Sequence, residues 1–116
     1  MNDQGVAQNR AMLYEKHWDS WVAKLLEIHA TCERNGIADL FTIFPIRHQI
    51  ANGEAATIPE LSQLLDEQGI ESIDMIDVFA KRKRVVLRDY THPNAYGSKL
   101  VAEALYRDVE PRLLKN

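Results

Sequence analysis

The sequence predicts an α/β fold with a parallel sheet. Three observations predict it: a stripe of large apolar residues at helical spacing, two dense apolar runs of strand length, and turn residues that separate helical from extended patterns in alternation. From Tyr14 the large side chains fall at Tyr14, Trp18, Trp21, Leu25, Ile28 and Cys32, in alternating steps of four and three, which places them on one face of a long helix. Asn35-Gly36 ends that helix, because both residue types accept the left-handed conformation that closes a helix C-terminus. Asp39 to Ile46 is almost continuously apolar, the pattern of a strand covered on both faces, and Pro45 marks its end. Residues 47–56 read as a loop around Asn52-Gly53. Thr57, with Glu60 three places on, reads as a capping box opening a short helix in which Leu61, Leu64 and Leu65 share a face and Gly69 is the stop. Ile70 to Val78, carrying Ile73, Met75, Ile76 and Val78, reads as a second buried strand. After the basic run Lys81 to Arg84 come a short apolar run, Val85 to Leu87, and a polar turn, Arg88 to Asn94. The closing helix has Leu100, Val101, Ala104 and Leu105 on one face, Asn94 as its cap and Pro111 near its end.

Alternating helices and strands predict right-handed crossovers and helices on both faces of the sheet. Doubly wound sheets carry about five or six strands, so two strands predict a partial three-layer α/β/α domain spanning residues 1–116, with sheet edges and apolar faces left to cover. No internal repeat or linker divides it.

Composition narrows the class further. With 46% apolar and 27% charged residues, the chain is neither disordered nor fibrous. Cys32 is the single cysteine, so neither an internal disulfide nor a paired-cysteine zinc site can form. Fourteen basic against seventeen acidic residues give a net charge of -3, which argues against a nucleic-acid partner. No apolar run approaches the roughly twenty residues that span a bilayer, and the polar stretch Met1 to Arg10 lacks a signal-peptide core. The expectation is a cytoplasmic chain with no membrane partner, metal or cofactor.

The chemistry-bearing segment is Asp89-Tyr90-Thr91-His92-Pro93-Asn94. Within a tight turn an Asp can reach the Nδ1–H of a histidine three positions later, fixing its tautomer and leaving Nε2 as a general base. The bare D-x-x-H pattern is common, and an Asp in it also serves simply to close a turn. The longer block Asp89-x-x-His92-Pro93-Asn94-x-x-Gly97, followed by the apolar helix Leu100 to Leu105, resembles the last conserved block of the SGNH hydrolases, also called GDSL esterases. The preceding order is similar to the carboxyl-terminal half of that fold: a long helix, a strand Phe41 to Pro45, a helix, and a strand ending Ile73-Asp74-x-x-Asp77.

The resemblance implies metal-free hydrolysis of carboxylic esters, thioesters or acetylated sugars, with Asp89 orienting and His92 acting as base. It also implies a serine in a Gly-Asp-Ser motif and an oxyanion glycine and asparagine from two further blocks, none of which this sequence contains. Ser20, Ser62, Ser72 and Ser98 all lie in other contexts. A base without a nucleophile forms no acyl-enzyme. The chain is therefore expected to supply the Asp–His pair for a small-molecule ester substrate, inactive alone and active when an amino-terminal segment contributes the serine. The alternative is a non-catalytic, self-associating interaction module.

Arg47 and His48 follow the strand-ending Pro45, which puts them on the carboxyl edge where open α/β sheets bind ligands; with Asn94 they are the expected substrate-lining residues. His17 and His29 lie twelve apart, not at the one-turn spacing of paired metal ligands. The Trp18–Trp21 stripe reads as core or interface and makes a homodimer an expected assembly. Lys81 to Arg84 reads as solvated surface, and Cys32 as a small buried residue.

Overall fold

The computed structural model describes residues 2–113. Along them lie α1 (Asp3–Arg34), β1 (Phe41–Ile43), α2 (Arg47–Ala51), α3 (Pro59–Glu67), β2 (Ser72–Asp74), α4 (Met75–Phe79) and α5 (Ala95–Leu113). The two strands pair in parallel as a small sheet, with the Phe41 N–H donating to the Glu71 carbonyl at 3.0 Å. The class is α/β with helices dominating. The chain divides into two compact units: one holds the residues up to Thr42 together with 58–73, the other 43–57 together with the residues from Asp74 onward.

In the first unit, α1 starts well before the aromatic stripe because the Asn2 side chain accepts from the Gly5 N–H at 2.8 Å, satisfying an otherwise orphaned donor. It stops where the sequence says it should. The Ile37 N–H donates back to the Cys32 carbonyl at 2.8 Å, a closure that needs the positive φ of +65° at Gly36. Along the stripe Leu25 is buried and Cys32 is half-buried, while Trp21 remains 38% and Ile28 55% exposed. The capping box expected at Thr57 does not form. Pro59 takes the first helical position, so the buried Ile58 becomes the N-cap of α3. Leu61 and Leu65 on α3 and Ile70 after its end are buried, so the apolar face assigned from their spacing is the one that packs.

The second unit contains the larger departures. The strand expected over 39–46 is confined to residues 41–43, and Phe44 is 38% exposed rather than covered. The expected loop after it opens with α2, started by the Ile46 N–H donating to Gln49 Oε1 at 3.0 Å. The strand expected over 70–78 ends at Asp74, whose Oδ1 accepts from the Ile76 N–H at 3.1 Å and so caps α4. Met75, Ile76 and Phe79 then bury at helical spacing. Asp74 also takes the donors of Thr57: the backbone N–H on Oδ2 at 2.8 Å and the hydroxyl on Oδ1 at 2.5 Å. Thr57 is therefore buried with its polar groups satisfied, and Gln49 Nε2 donates to its carbonyl at 2.7 Å. With Ile43, Ile46, Val86, Leu87 and Leu100, the α4 side chains form the unit's core. Each contributes about 1.5–3 kcal/mol of burial.

α5 runs through Pro111 near its end, and its first turn is set by Gly97. A Cβ on Gly97 would lie 2.1 Å from the Val86 carbonyl oxygen and 3.2 Å from Pro93 Cβ. That backbone oxygen already accepts from the Asn94 N–H at 2.9 Å, so it cannot move aside without breaking the turn. Gly97→Ala is expected to destabilise the chain by about 3 kcal/mol, read as a lowered urea midpoint at unchanged m-value. A loss under about 0.5 kcal/mol would contradict this close approach.

Candidate active site

The site is built on a short hairpin. Leu87 and Pro93 face each other as an isolated antiparallel bridge, with the Arg88 N–H donating to the His92 carbonyl at 2.8 Å and the Asn94 N–H to the Val86 carbonyl at 2.9 Å. Between these rungs the Asp89 side chain folds the tip. Its Oδ1 accepts the backbone N–H of Thr91 at 2.9 Å and of His92 at 2.7 Å, the local bonding that makes Asp a turn former.

The same carboxylate then holds the imidazole. His92 Nδ1 lies 2.9 Å from Asp89 Oδ2 and 3.1 Å from Oδ1, with Thr91 Oγ1 also 3.1 Å from that nitrogen. An ionised carboxylate only accepts, so Nδ1 carries the proton, and in the neutral ring Nε2 is left with its lone pair. The His92 side chain is 62% exposed, so that lone pair is accessible from solvent. Asp89 is held well below the usual carboxylate range, first by the Thr91 N–H, then by the His92 N–H, and then by the imidazole. Two of these three causes are backbone donors, so the carboxylate stays ionised whatever the charge on His92.

Arg47 is brought to this turn: its N–H donates to the Tyr90 carbonyl at 2.8 Å and its guanidinium lies 4.5 Å over the Tyr90 ring. His48 is engaged within its own helix, where Asn52 Nδ2 donates to its Nε2 at 2.9 Å. Asn94 has both ends of its amide committed to the hairpin. Oδ1 accepts from the Gly97 N–H at 2.8 Å, and Nδ2 donates to the Val85 carbonyl at 2.8 Å. Asn94 is thus a helix cap that ties the start of α5 back to Val85, ahead of the turn. Ser20 and Ser98 lie on helices and Ser72 in β2, all exposed, with Ser62 half-exposed on α3. Among the described residues His92 bonds with Asp89 and Thr91, not with a serine, and no group of three or more potential ligands gathers to hold a metal. No helix among them is long and apolar enough to cross a membrane.

Sequence reasoning missed a second acid–imidazole contact. His29 lies between two carboxylates, Nδ1 2.8 Å from Asp39 and Nε2 3.0 Å from Glu33. Glu33 was legible as an i, i+4 neighbour on a helix. Asp39, ten residues away across a turn, carries no spacing signal.

Asp89→Asn is expected to keep the turn but reverse the imidazole tautomer, because the amide offers a donor where the carboxylate accepted. Imidazole ¹⁵N shifts should show the neutral ring protonated at Nδ1 in the parent and at Nε2 in the variant. Because the folded Asp89 value is lowered, its stabilising contribution is fully present above about pH 3.8 and is lost as pH falls below that toward the folded value. The stability difference between parent and variant should therefore shrink on acidification through that range, and a difference independent of pH would refute the assignment.

No family model, curated protein or solved structure matches the chain.

Proposed function

We propose that this chain supplies the acid–imidazole half of an SGNH-type ester hydrolase, with the three-layer sheet and the nucleophilic serine completed by chain outside these residues. The observation that carries the reading is the 2.9 Å contact between Asp89 Oδ2 and His92 Nδ1 in a solvent-facing turn. Asp89 sets the tautomer, and His92 Nε2 takes the proton of a serine hydroxyl as it attacks the ester carbonyl, then returns it to the leaving alcohol. The block Asp89-x-x-His92-Pro93-Asn94-x-x-Gly97 supports the family, and the Gly97 N–H bond to Asn94 Oδ1 gives that spacing a physical role in the turn. Arg47, whose guanidinium lies over the Tyr90 ring in the same turn, would line the substrate. Metal, membrane and nucleic acid play no part in this reading, and the protein would act on small-molecule esters in the cytoplasm.

The isolated chain is expected to hydrolyse p-nitrophenyl acetate no faster than a protein blank, and a fluorophosphonate probe should label none of its four serines. Joined to a segment carrying Gly-Asp-Ser from the upstream reading frame, it should gain turnover that His92→Ala lowers about 10²- to 10⁴-fold. Turnover by the isolated chain that is lost in His92→Ala yet survives replacement of every serine would overturn these roles.

A second reading, self-association, is favoured by α1. The Trp18 and Trp21 rings lie 5.8 Å apart, Tyr14 lies 6.1 Å from Trp21, and they line a surface groove of about 380 Å³ with Leu13 and His17. Sedimentation equilibrium tests it: a homodimer built on this stripe should weaken at least about tenfold in Trp21→Ala. A monomer at tens of micromolar would remove this reading and leave the first intact.

A further inference from the structure

We propose that His29 is a pH-sensitive clasp, independent of the Asp89–His92 site, that fastens the end of α1 to the segment entering β1 while its imidazole is charged and loosens when it is neutral. The geometry is specific to the charged ring. Nδ1 meets Asp39 Oδ2 at 2.8 Å and Nε2 meets Glu33 Oε1 at 3.0 Å, and both partners are carboxylates that only accept. Two donors are needed, and only the imidazolium has two. A neutral ring must abandon one carboxylate.

The two partners differ in what that loss does. Glu33 lies on α1 itself and its side chain is 70% exposed, so water replaces the imidazole readily. Asp39, just ahead of β1, is 17% exposed, as is His29. The His29–Asp39 contact reaches beyond the helix. These two carboxylates are the charged groups that act on His29, and both favour its proton: the Asp39 hydrogen bond is the largest influence and outweighs the partial desolvation that opposes it. His29 is accordingly raised above its ordinary 6.5. A raised value means that the clasp's contribution is fully present below pH 6.5 and is lost as pH rises through the folded value.

Between Asp39 and the helix runs the α1 closure, in which the Ile37 N–H bonds the Cys32 carbonyl. Two residues beyond Asp39 the Phe41 N–H bonds Glu71. These two amides therefore report whether the connection is fastened. Hydrogen exchange of the full chain, followed as protection factors between pH 5.5 and 9, should show Ile37 and Phe41 losing protection by up to about tenfold per pH unit between 6.5 and the folded value, then levelling. Amides that exchange through openings which leave the His29 contacts intact should stay constant across that range. His29→Gln should remove the pH dependence at Ile37 and Phe41 while lowering their protection at pH 5.5 to the parent's high-pH level, and Asp39→Asn should do the same with Glu33 still present. If neither variant folds, the parent alone decides by imidazole ¹⁵N titration. A His29 midpoint at or below 6.5, or protection at Ile37 and Phe41 that does not track that midpoint, overturns the proposal.

Discussion

One carboxylate organises the candidate site. Asp89 accepts two backbone N–H groups through a single oxygen and the imidazole Nδ1–H through the other. The first two bonds fold the tip of the hairpin and fix the Asp rotamer, and the third then follows without further ordering of the side chain. Turn formation and orientation of the imidazole are thus one event, and the entropy of fixing Asp89 is spent on the fold before the histidine is engaged. This is why a pattern that serves structure in many proteins can also serve chemistry here: the two readings of D-x-x-H describe the same bonds. What separates them is the accessibility of Nε2.

The contrast between the two histidine contacts makes that criterion concrete. His29 is largely covered and, while charged, is bonded to a carboxylate at both ring nitrogens. His92 is exposed and, among the described residues, bonded at one nitrogen. Both have an aspartate at hydrogen-bond distance, so proximity of acid and imidazole does not distinguish a fastening from a base. The number of occupied nitrogens is what differs between them.

Much of this was legible in the residues, for identifiable reasons. Gly36 and Gly69 mark true helix ends because no other residue type meets the positive φ so cheaply, and Leu61 with Leu65 marks a true buried face because helical spacing and burial coincide there. The α/β class followed from the alternation of such signals. What was not legible came from competition between patterns. Met75, Ile76 and Val78 suit a strand by composition, yet Asp74 offers its side chain to the Ile76 N–H, and a cap of that kind tips a short apolar run into a helix. Thr57 and Glu60 have the spacing of a capping box, but Pro59 fixes the helix start one residue later and frees Thr57 to bond with Asp74, seventeen positions on. Within the site, the cap at Asn94 is legible from its type and place before a helix, whereas its second bond, from Nδ2 to the Val85 carbonyl nine residues back, carries no sequence signal. Arg47 was placed from strand direction alone, and its stacking on Tyr90 could not be foreseen without knowing which loop lies opposite.

Pro93 has an outward effect. In the Leu87–Pro93 pair the ladder bonds come from the flanking residues, which leaves the proline nitrogen on the open side of the hairpin, where an incoming strand would look for a donor and find none. The missing donor disfavours extension of the ladder by edge-to-edge addition on that side. The residue that ends the turn thus withholds a ladder donor beside the exposed imidazole.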